Sequence, residues 1–299
     1  MKQLIIKHLV RWMAPRLRFI YHNPELWRYV ESRGYHVTPV HFYQPIPDTR
    51  TLDETYRPES AMAGIDWNEE SQLQLLREAL SSYAAEYHEF FQRFQTEGQF
   101  AGDRLEFVGH DPAVYHGVIR HFQPRRIIEV GAGFSTLVAA NAAALNGDTE
   151  VLAIEPYAND YLKSLAAEIR LIKRMVQAVE LSFFDKLQKN DILFIDSSHV
   201  VKLGSDVCYL VLEVLPRLQK GVIVHFHDIF LPFEYPRSWL EDRRMFWNEQ
   251  YLIQAYLMHN RRTRILFANS FMTSRHPALM ERSLPGSQGI GGGSLWLQV

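Results

Sequence analysis

The chain of 299 residues is 47% hydrophobic and 22% charged, which allows one large or two modest domains with a buried core. Its formal net charge of −2 argues against a general nucleic-acid-binding protein, because such proteins are usually markedly basic. The single cysteine, Cys208, excludes an internal disulfide framework and a cysteine-based zinc site, and it agrees with a reducing, cytoplasmic compartment. We expect no transmembrane helix, since no run of about 18 uncharged apolar residues occurs.

The first 20 residues form a basic segment with an apolar stripe. They contain five lysines and arginines and no acid. Ile5, Leu9 and Met13 recur at helical spacing, and Lys7 lies on another face of the same helix. Such a helix can rest on an anionic membrane surface at the inner face of a membrane, or it can pack on its own protein or on a second subunit. Packing is the simpler interpretation, and it leaves homo-oligomerisation open.

A helical region is predicted to precede the main domain. Residues 34–60 are rich in prolines and aromatics, which is typical of an irregular linker. Asp66 and Glu69 resemble a capping box that opens a long helix. The apolar face of this helix comprises Leu73, Leu76, Leu80, Tyr83, Tyr87, Phe90 and Phe94. We therefore predict a cap or dimerisation region at residues 1–100 and a catalytic domain at 101–299, with the boundary near residues 98–102.

The strongest local signal is a strand, a glycine turn and a helix. Residues 127–130 are a short, mainly apolar run that predicts a buried parallel strand. Gly131 and Gly133 mark a tight turn at which side chains would obstruct a ligand. Ser135 is a good helix N-cap type, and 137–145 continues as an alanine-rich helix. This order predicts a nucleotide-binding βα unit.

The acid in this unit separates two kinds of nucleotide site. A dinucleotide fingerprint needs a third glycine where Thr136 stands, and Glu129 would repel a pyrophosphate but can pair with a cationic amino group. The pattern of acid, Gly131 and Gly133 resembles motif I of class I methyltransferases that depend on S-adenosylmethionine (SAM). This resemblance implies that Glu129, Gly131, Gly133 and Ser135 bind SAM. An NAD-dependent dehydrogenase and a purely structural turn are the alternatives.

Two more residues are candidates for contacts with the cofactor. Residues 150–155 predict the second strand, and its terminal acid, Glu155, can accept both ribose hydroxyls of an adenosine. The same family resemblance makes this acid the ribose ligand. Residues 171–179 predict a third strand, with Gln177 placed near the adenine. An exposed carboxylate and a solvated amide are the alternatives for these two residues.

The alternation of strands and helices continues to the end of the chain. Further strands are predicted at 191–196, 221–227, 265–271 and 294–299, with a helix at 204–219. Strands separated by helical segments favour an α/β fold. We predict a Rossmann-like, doubly wound, mostly parallel sheet of seven strands with helices on both faces and an N-terminal helical extension.

Polar residues cluster after the fourth and fifth strands. The carboxyl ends of such strands bind ligands, so Asp196 is expected near His227 and Asp228. These three residues are a plausible divalent metal site. The arrangement resembles metal-dependent O-methyltransferases, whose ligands are an acid after strand four and an acidic pair after strand five. Since His227 departs from the acidic pair, manganese, iron or zinc suits the site better than magnesium. The alternative is that the histidines are hydrogen-bonded structural residues.

His199 is the candidate catalytic base. In the catechol-type members of that family a lysine base occupies the matching place, and a histidine has a suitable pKa range for removing a hydroxyl proton. Asp196 is the alternative base if no metal binds. The acceptor oxygen would then attack the sulfonium methyl group in line, with the enzyme supplying alignment.

The region from about residue 105 to 299 resembles the bacterial branch known as methyltransferase domain 24. This resemblance implies a SAM-dependent O-methyltransferase, with a divalent metal as a further candidate cofactor. Aromatic and basic residues crowd 230–260, which suits a small-molecule or glycan acceptor. The alternatives are an NAD-dependent oxidoreductase on a related sheet and a non-catalytic SAM-binding or membrane-surface protein.

Overall fold

The computed structural model describes residues 2–97, 107–160, 162, 168–286 and 291–299. The chain forms two compact units, one of Met1–Tyr56 with Ser238–Phe246 and the other of Arg57–Arg237 with Trp247–Val299. The predicted region 1–100 therefore contributes to both units, and its role as a cap or dimerisation region stays a prediction. The boundary predicted at 98–102 lies outside the described residues. Within the described ranges, no helix has the length and apolar character needed to cross a membrane.

The N-terminal unit consists of short helices joined by turns. Its α-helices are α1 Lys2–Met13, α2 Leu17–His22, α3 Pro24–Glu31 and α4 Leu52–Thr55. Asn23 caps α3, because its side-chain oxygen accepts the amide protons of Glu25 and Leu26. None of the residues of α1 is buried among the parts of the chain that the structure describes.

The larger unit contains one seven-stranded sheet. Its strands are β1 Arg126–Val130, β2 Glu150–Ile154, β3 Arg170–Ile172, β4 Ile192–Ile195, β5 Ile223–Phe226, β6 Arg264–Ala268 and β7 Leu295–Gln298. The order across the sheet is β3-β2-β1-β4-β5-β7-β6. The first five strands are parallel, and β7 runs antiparallel to both of its neighbours. The predicted Rossmann-like sheet is confirmed.

Helices surround this sheet. They are α5 Glu69–Glu78, α6 Ala84–Glu97, α7 Asp111–Phe122, α8 Phe134–Asn146, α9 Asp206–Cys208, α10 Glu249–Leu257, α11 Asn269–Arg275 and α12 Pro277–Ser283. Helical turns of other types continue α9 through Arg217. The order of the sheet reverses between β1 and β4, so the carboxyl ends of these two strands flank the crevice where such sheets bind ligands.

Three predicted elements differ from the observed ones. The single long helix after Asp66 is broken by a 3-10 turn at Leu80–Tyr83, where the fully buried Leu80 packs against Gly117. The third strand ends at Ile172, because β3 is an edge strand followed by two exposed cations. Gln177 consequently lies on the 3-10 turn Val176–Ala178 rather than at a strand end. The sixth strand also stops early, at Ala268, where α11 begins.

Candidate functional site

The glycine turn follows β1 and contacts the end of β4. Gly131 has a φ of +80°, and a Cβ atom at this position would lie 2.1 Å from the carbonyl oxygen of Asp196. Only glycine fits this conformation and this contact. Around Gly133, in contrast, a Cβ atom would meet no described atom within 4 Å. The turn is therefore packed against the end of β4 at Gly131, whereas the space next to Gly133 contains no described protein atom within 4 Å of a Cβ position.

Glu129 lies beneath this turn and is 0% exposed. The Ser135 hydroxyl donates a hydrogen bond to its Oε1 atom, and the Thr136 hydroxyl donates a second one over 3.2 Å. Its Oε2 atom has no hydrogen-bond partner among the described residues. Burial raises the pKa of Glu129 to about 8 despite these bonds. A cationic group beside Oε2 would supply the missing partner and favour the ionised carboxylate.

Thr136 fills the place where a dinucleotide fingerprint has its third glycine. Its hydroxyl accepts the amide proton of Gly133 over 3.0 Å and donates to Glu129. The residue is fully buried. A third glycine would leave this space free, so that the helix could pack closely on the strand. Here the Thr136 side chain occupies the space and hydrogen bonds to Glu129.

Glu155 reaches the glycine turn, whereas Gln177 makes its contact elsewhere. The carboxylate of Glu155 accepts the amide protons of Tyr157 over 2.7 Å and of Ala132 over 3.3 Å. It remains partly exposed at the end of β2. The Gln177 amide donates to the carbonyl oxygen of Gly204 over 3.0 Å. The structure thus places Glu155, but not Gln177, in hydrogen-bond contact with the turn.

The polar residues after β4 and β5 converge as the sequence predicts. His199 Nε2 lies 3.3 Å from Asp196 Oδ1 and 3.7 Å from Asp228 Oδ2. His227 Nε2 lies 3.9 Å from Asp228 Oδ1. The two histidines are almost fully buried, whereas the Asp196 side chain is 35% exposed. These four residues form what we call the strand-end cluster, and Asp196 is its most accessible member.

Glu249 completes this cluster, and sequence reasoning missed it. Its Oε2 atom accepts a hydrogen bond from His199 Nδ1 over 2.8 Å. The Ser197 hydroxyl donates to both carboxylate oxygens, over 3.0 and 3.1 Å. Glu249 is 1% exposed, and it is the first residue of α10. The only signal in the sequence was an acid at a helix start within the aromatic segment, 50 residues after His199.

The backbone at both strand ends is held in a strained conformation. His199 has a φ of +57° and Asp228 a φ of +54°, which is uncommon for residues other than glycine. The His199 amide donates to Ser197 Oγ, and the His199 carbonyl accepts the amide protons of Asn248 and Glu249. Such strain persists where the surroundings over-determine it, and it concentrates at functional sites.

Opposite charges stabilise each other within the strand-end cluster. Burial alone would lower the pKa of His199, but its bonds to Asp196 and Glu249 outweigh burial and raise that pKa to about 10. Burial would raise the pKa of Asp196, but the nearby His227 and His199 lower it below its usual value. The pair is therefore an imidazolium and a carboxylate near neutral pH.

The predicted metal ligands Asp196, His227 and Asp228 lie around the His199 imidazole. Across the described residues, no group of three or more His, Cys, Asp or Glu side chains is arranged to hold a metal ion. The His199 imidazole lies within 4 Å of both Asp196 and Asp228, in the space that a shared cation would need. These residues do not fit a divalent ion in this arrangement. The metal role of Asp196, His227 and Asp228 stays a prediction, and we derive no step through it.

Two neighbours of the cluster are structural. His225 hydrogen bonds with Ser294 Oγ over 2.8 Å and stacks on Phe194 with ring centroids 3.9 Å apart. Asp111, which sequence reasoning also missed, accepts amide protons from Gly293 and Ser294. It therefore fixes the end of the glycine run 291–293.

Comparison with known proteins identifies relatives of this chain. Residues 128–229 match the sequence profile of a family described as a methyltransferase domain. An uncharacterised protein of Archaeoglobus fulgidus is 36% identical over 168 residues, which are 51% of this chain and 74% of that protein.

Solved structures resemble the chain more distantly. The O-methyltransferase TomG from Streptomyces achromogenes, solved in complex with SAM, is 15% identical with a TM-score of 0.40 and covers 78% of this chain and 96% of its own. The plantazolicin methyltransferase BamL is 13% identical with a TM-score of 0.42. The match covers 78% of this chain and 99% of the BamL chain. The relationship therefore rests on the sequence matches.

The contact between the glycine turn and β4 predicts a difference between two glycine substitutions. Gly131→Ala should lower the free energy of unfolding by roughly 2 kcal/mol or more, because its methyl group would overlap the Asp196 carbonyl. Gly133→Ala, which enters open space, should cost less than about 1 kcal/mol. Urea unfolding followed by circular dichroism measures both. Equal stability of the two variants would contradict the close contact.

The imidazolium at His199 predicts a pH-dependent contribution to stability. Its folded pKa of about 10 exceeds the ordinary value of 6.5, so the stabilisation is complete below pH 6.5 and is lost as the pH rises towards 10. The stability advantage of the wild type over His199→Gln should shrink by about 2 kcal/mol or more over this range. Glu249→Gln should move the loss to lower pH. A constant difference between wild type and His199→Gln would show that the imidazole is not charged in the fold.

Proposed function

We propose that this chain, whose residues 128–229 match a methyltransferase-domain family, transfers the methyl group of SAM to an oxygen atom of a small-molecule or glycan acceptor. The observation that carries this proposal is the extent of the family match, which begins within β1 and ends just after Asp228. The match therefore includes both the glycine turn and the strand-end cluster. The proposed donor site and the proposed site for proton chemistry thus lie within one matched stretch of sequence and face the same crevice of the sheet.

Three features of the glycine turn support SAM as the methyl donor. Among the described residues, Oε2 of the buried Glu129 has no hydrogen-bond partner, which suits the ammonium group of an amino acid moiety. The open space above Gly133 leaves room for the ligand. Glu155 lies beside the turn at the end of β2, where a carboxylate can accept the ribose hydroxyls. Thr136, by filling the third glycine position, disfavours the dinucleotide alternative.

We assign proton removal to Asp196. When the acceptor oxygen bonds to the methyl group it gains positive charge, and its own proton becomes strongly acidic in the transition state. An ordinary carboxylate is then a sufficient acceptor, and Asp196 is the most accessible carboxylate of the strand-end cluster and lies against the turn. The products are the methyl ether, S-adenosylhomocysteine and a proton on Asp196. His199, which the sequence suggested as the base, is protonated near neutral pH and instead holds Asp196 in position together with Glu249.

Binding of SAM to Glu129 predicts proton release. At pH 6.5 the free carboxyl group is mainly protonated, because its pKa is about 8, and an ammonium group beside it would expel the proton. The buffer takes up the released proton, so its ionisation enthalpy adds to the measured heat. Calorimetric titration with SAM in phosphate and in Tris buffer should therefore give heats whose difference corresponds to nearly one proton released per SAM bound. Glu129→Gln should show equal heats in both buffers. Glu155→Ala should weaken binding but keep the buffer dependence.

The same titration separates the remaining alternatives. Absence of heat with SAM from folded protein, together with a change in NADH fluorescence on mixing, would overturn the proposal in favour of a dinucleotide site. Repeating the titration after EDTA treatment and again with added manganese tests the predicted divalent metal. If manganese increases the affinity for SAM and this increase is lost in Asp228→Ala, the result would support the predicted metal site.

Asp196→Asn should separate catalysis from binding. We expect kcat to fall by roughly 10²- to 10⁴-fold, because the amide cannot accept the proton, while the dissociation constant for SAM changes only a few-fold. Formation of S-adenosylhomocysteine with a panel of phenols and sugars provides the assay. Asp185→Asn is the matched control, because this exposed carboxylate pairs with Arg217. An unchanged kcat in Asp196→Asn would remove Asp196 from the chemistry.

A further inference from the structure

Helix α1 has an apolar face that the described protein leaves uncovered. At 100° per residue, one side of the helix carries Ile5, Ile6, Leu9, Val10, Trp12 and Met13. These six side chains are each between 46% and 60% exposed. An amphipathic helix of a folded protein normally buries such a face, and a contiguous exposed apolar surface marks an interaction site.

The opposite side of the helix carries two cations. Lys7 and Arg11 lie one turn apart on it beside Leu4, and all three are exposed, whereas Lys2 begins the helix on the apolar side. The first 20 residues contain five exposed lysines and arginines and no acid. The Arg16 guanidinium also lies 3.9 Å from the centre of the Trp12 ring, which places a cation beside the apolar face. Apolar and cationic groups are therefore presented together.

The same unit contains a cavity of about 600 Å³. Its lining is mainly apolar and aromatic, and Leu17, Arg18 and Tyr21 of α2 contribute to it. Phe42 and Tyr43, in the segment that follows α3, are each 81% exposed. Exposure of apolar surface in this unit is thus not limited to α1.

We propose that α1 and α2 bind the surface of an anionic phospholipid bilayer. With 12 residues, α1 is about 18 Å long, which is too short to cross a hydrocarbon core of about 30 Å, so it lies in the plane of the interface. Its apolar face enters the acyl boundary, Trp12 lies at headgroup level, and Lys7 and Arg11 bind lipid phosphates. Charge favours this occupant over a second copy, because two such helices face to face would bring together two segments of five cations each.

Vesicle co-sedimentation of the full chain tests the proposal. We expect binding to vesicles of phosphatidylcholine with one quarter phosphatidylglycerol, weaker binding in 0.5 M salt and little binding to pure phosphatidylcholine. Lys7→Glu with Arg11→Glu should weaken binding at least about tenfold, since each cation near an anionic surface contributes roughly fivefold. Ile5→Ser with Leu9→Ser should also weaken it, without any change in charge.

The control is a pair of equal charge changes in the other unit. Lys189→Glu with Lys220→Glu alters the net charge by the same amount at two exposed positions, and it should leave vesicle binding unchanged. Equal loss in this control and in the α1 charge variant would overturn the proposal. So would equal binding of the wild type to neutral and anionic vesicles. A dimer in light scattering that Ile5→Ser with Leu9→Ser dissociates, without vesicle binding by the wild type, would identify a second copy as the occupant. Thermal unfolding confirms that each variant is folded.

Discussion

The contact between Gly131 and the Asp196 carbonyl determines the geometry of the whole site. The amide of Asp196 donates to the carbonyl of Val130 over 2.8 Å, so the end of β4 is paired to the end of β1 at the point where the turn begins. A ligand resting on the turn is then necessarily beside the Asp196 side chain. The spacing between the proposed donor site and the Asp196 carboxylate is therefore set by paired backbone rather than by flexible side chains. Alignment of this kind is what a reaction with an already activated methyl donor requires.

Buried carboxylates surround this contact, and the protein accommodates each one differently. Glu129 accepts hydroxyl protons, Asp111 accepts backbone amide protons, and Glu249 pairs with the His199 imidazole. An isolated buried carboxylate is costly, so its proton affinity rises unless a cation or enough donors compensate. Burial raises the pKa of Glu129 to about 8 and that of Asp111 to about 6. Among the described residues, the strand-end cluster supplies imidazole groups to two of these carboxylates: His199 lies beside Glu249, and His227 Nδ1 lies 3.8 Å from Asp111 Oδ2. The position that lacks one, beneath the glycine turn, is where a cationic ligand gains most from binding.

The sequence predicts the parts of this structure that depend on local pattern. Continuous apolar runs identify β1 and β4, and the rule that parallel strands end at one edge brings Asp196 near Asp228. The residues that escape prediction act through tertiary contacts. Glu249 has no periodic or motif signal, and its role depends on α10 packing beside a loop 50 residues away. The break at Leu80 likewise depends on Gly117, whose missing side chain allows close approach. Left-handed backbone at His199 has no local signature either, because the conformation is enforced by Ser197 and Asn248.

The charge distribution determines which part of the chain the proposed membrane contact uses. The whole chain has a net charge of −2, and its first 20 residues contribute five positive charges, so the remainder carries −7. An anionic surface therefore attracts the basic segment and repels the rest of the protein. Burial of six apolar side chains adds a short-range attraction that charge alone does not give. Long-range attraction is screened by salt, whereas apolar burial is not, so the two contributions respond differently to ionic strength. A contact that uses both orients α1 on the surface, with its apolar face towards the acyl chains and Lys7 and Arg11 among the lipid headgroups.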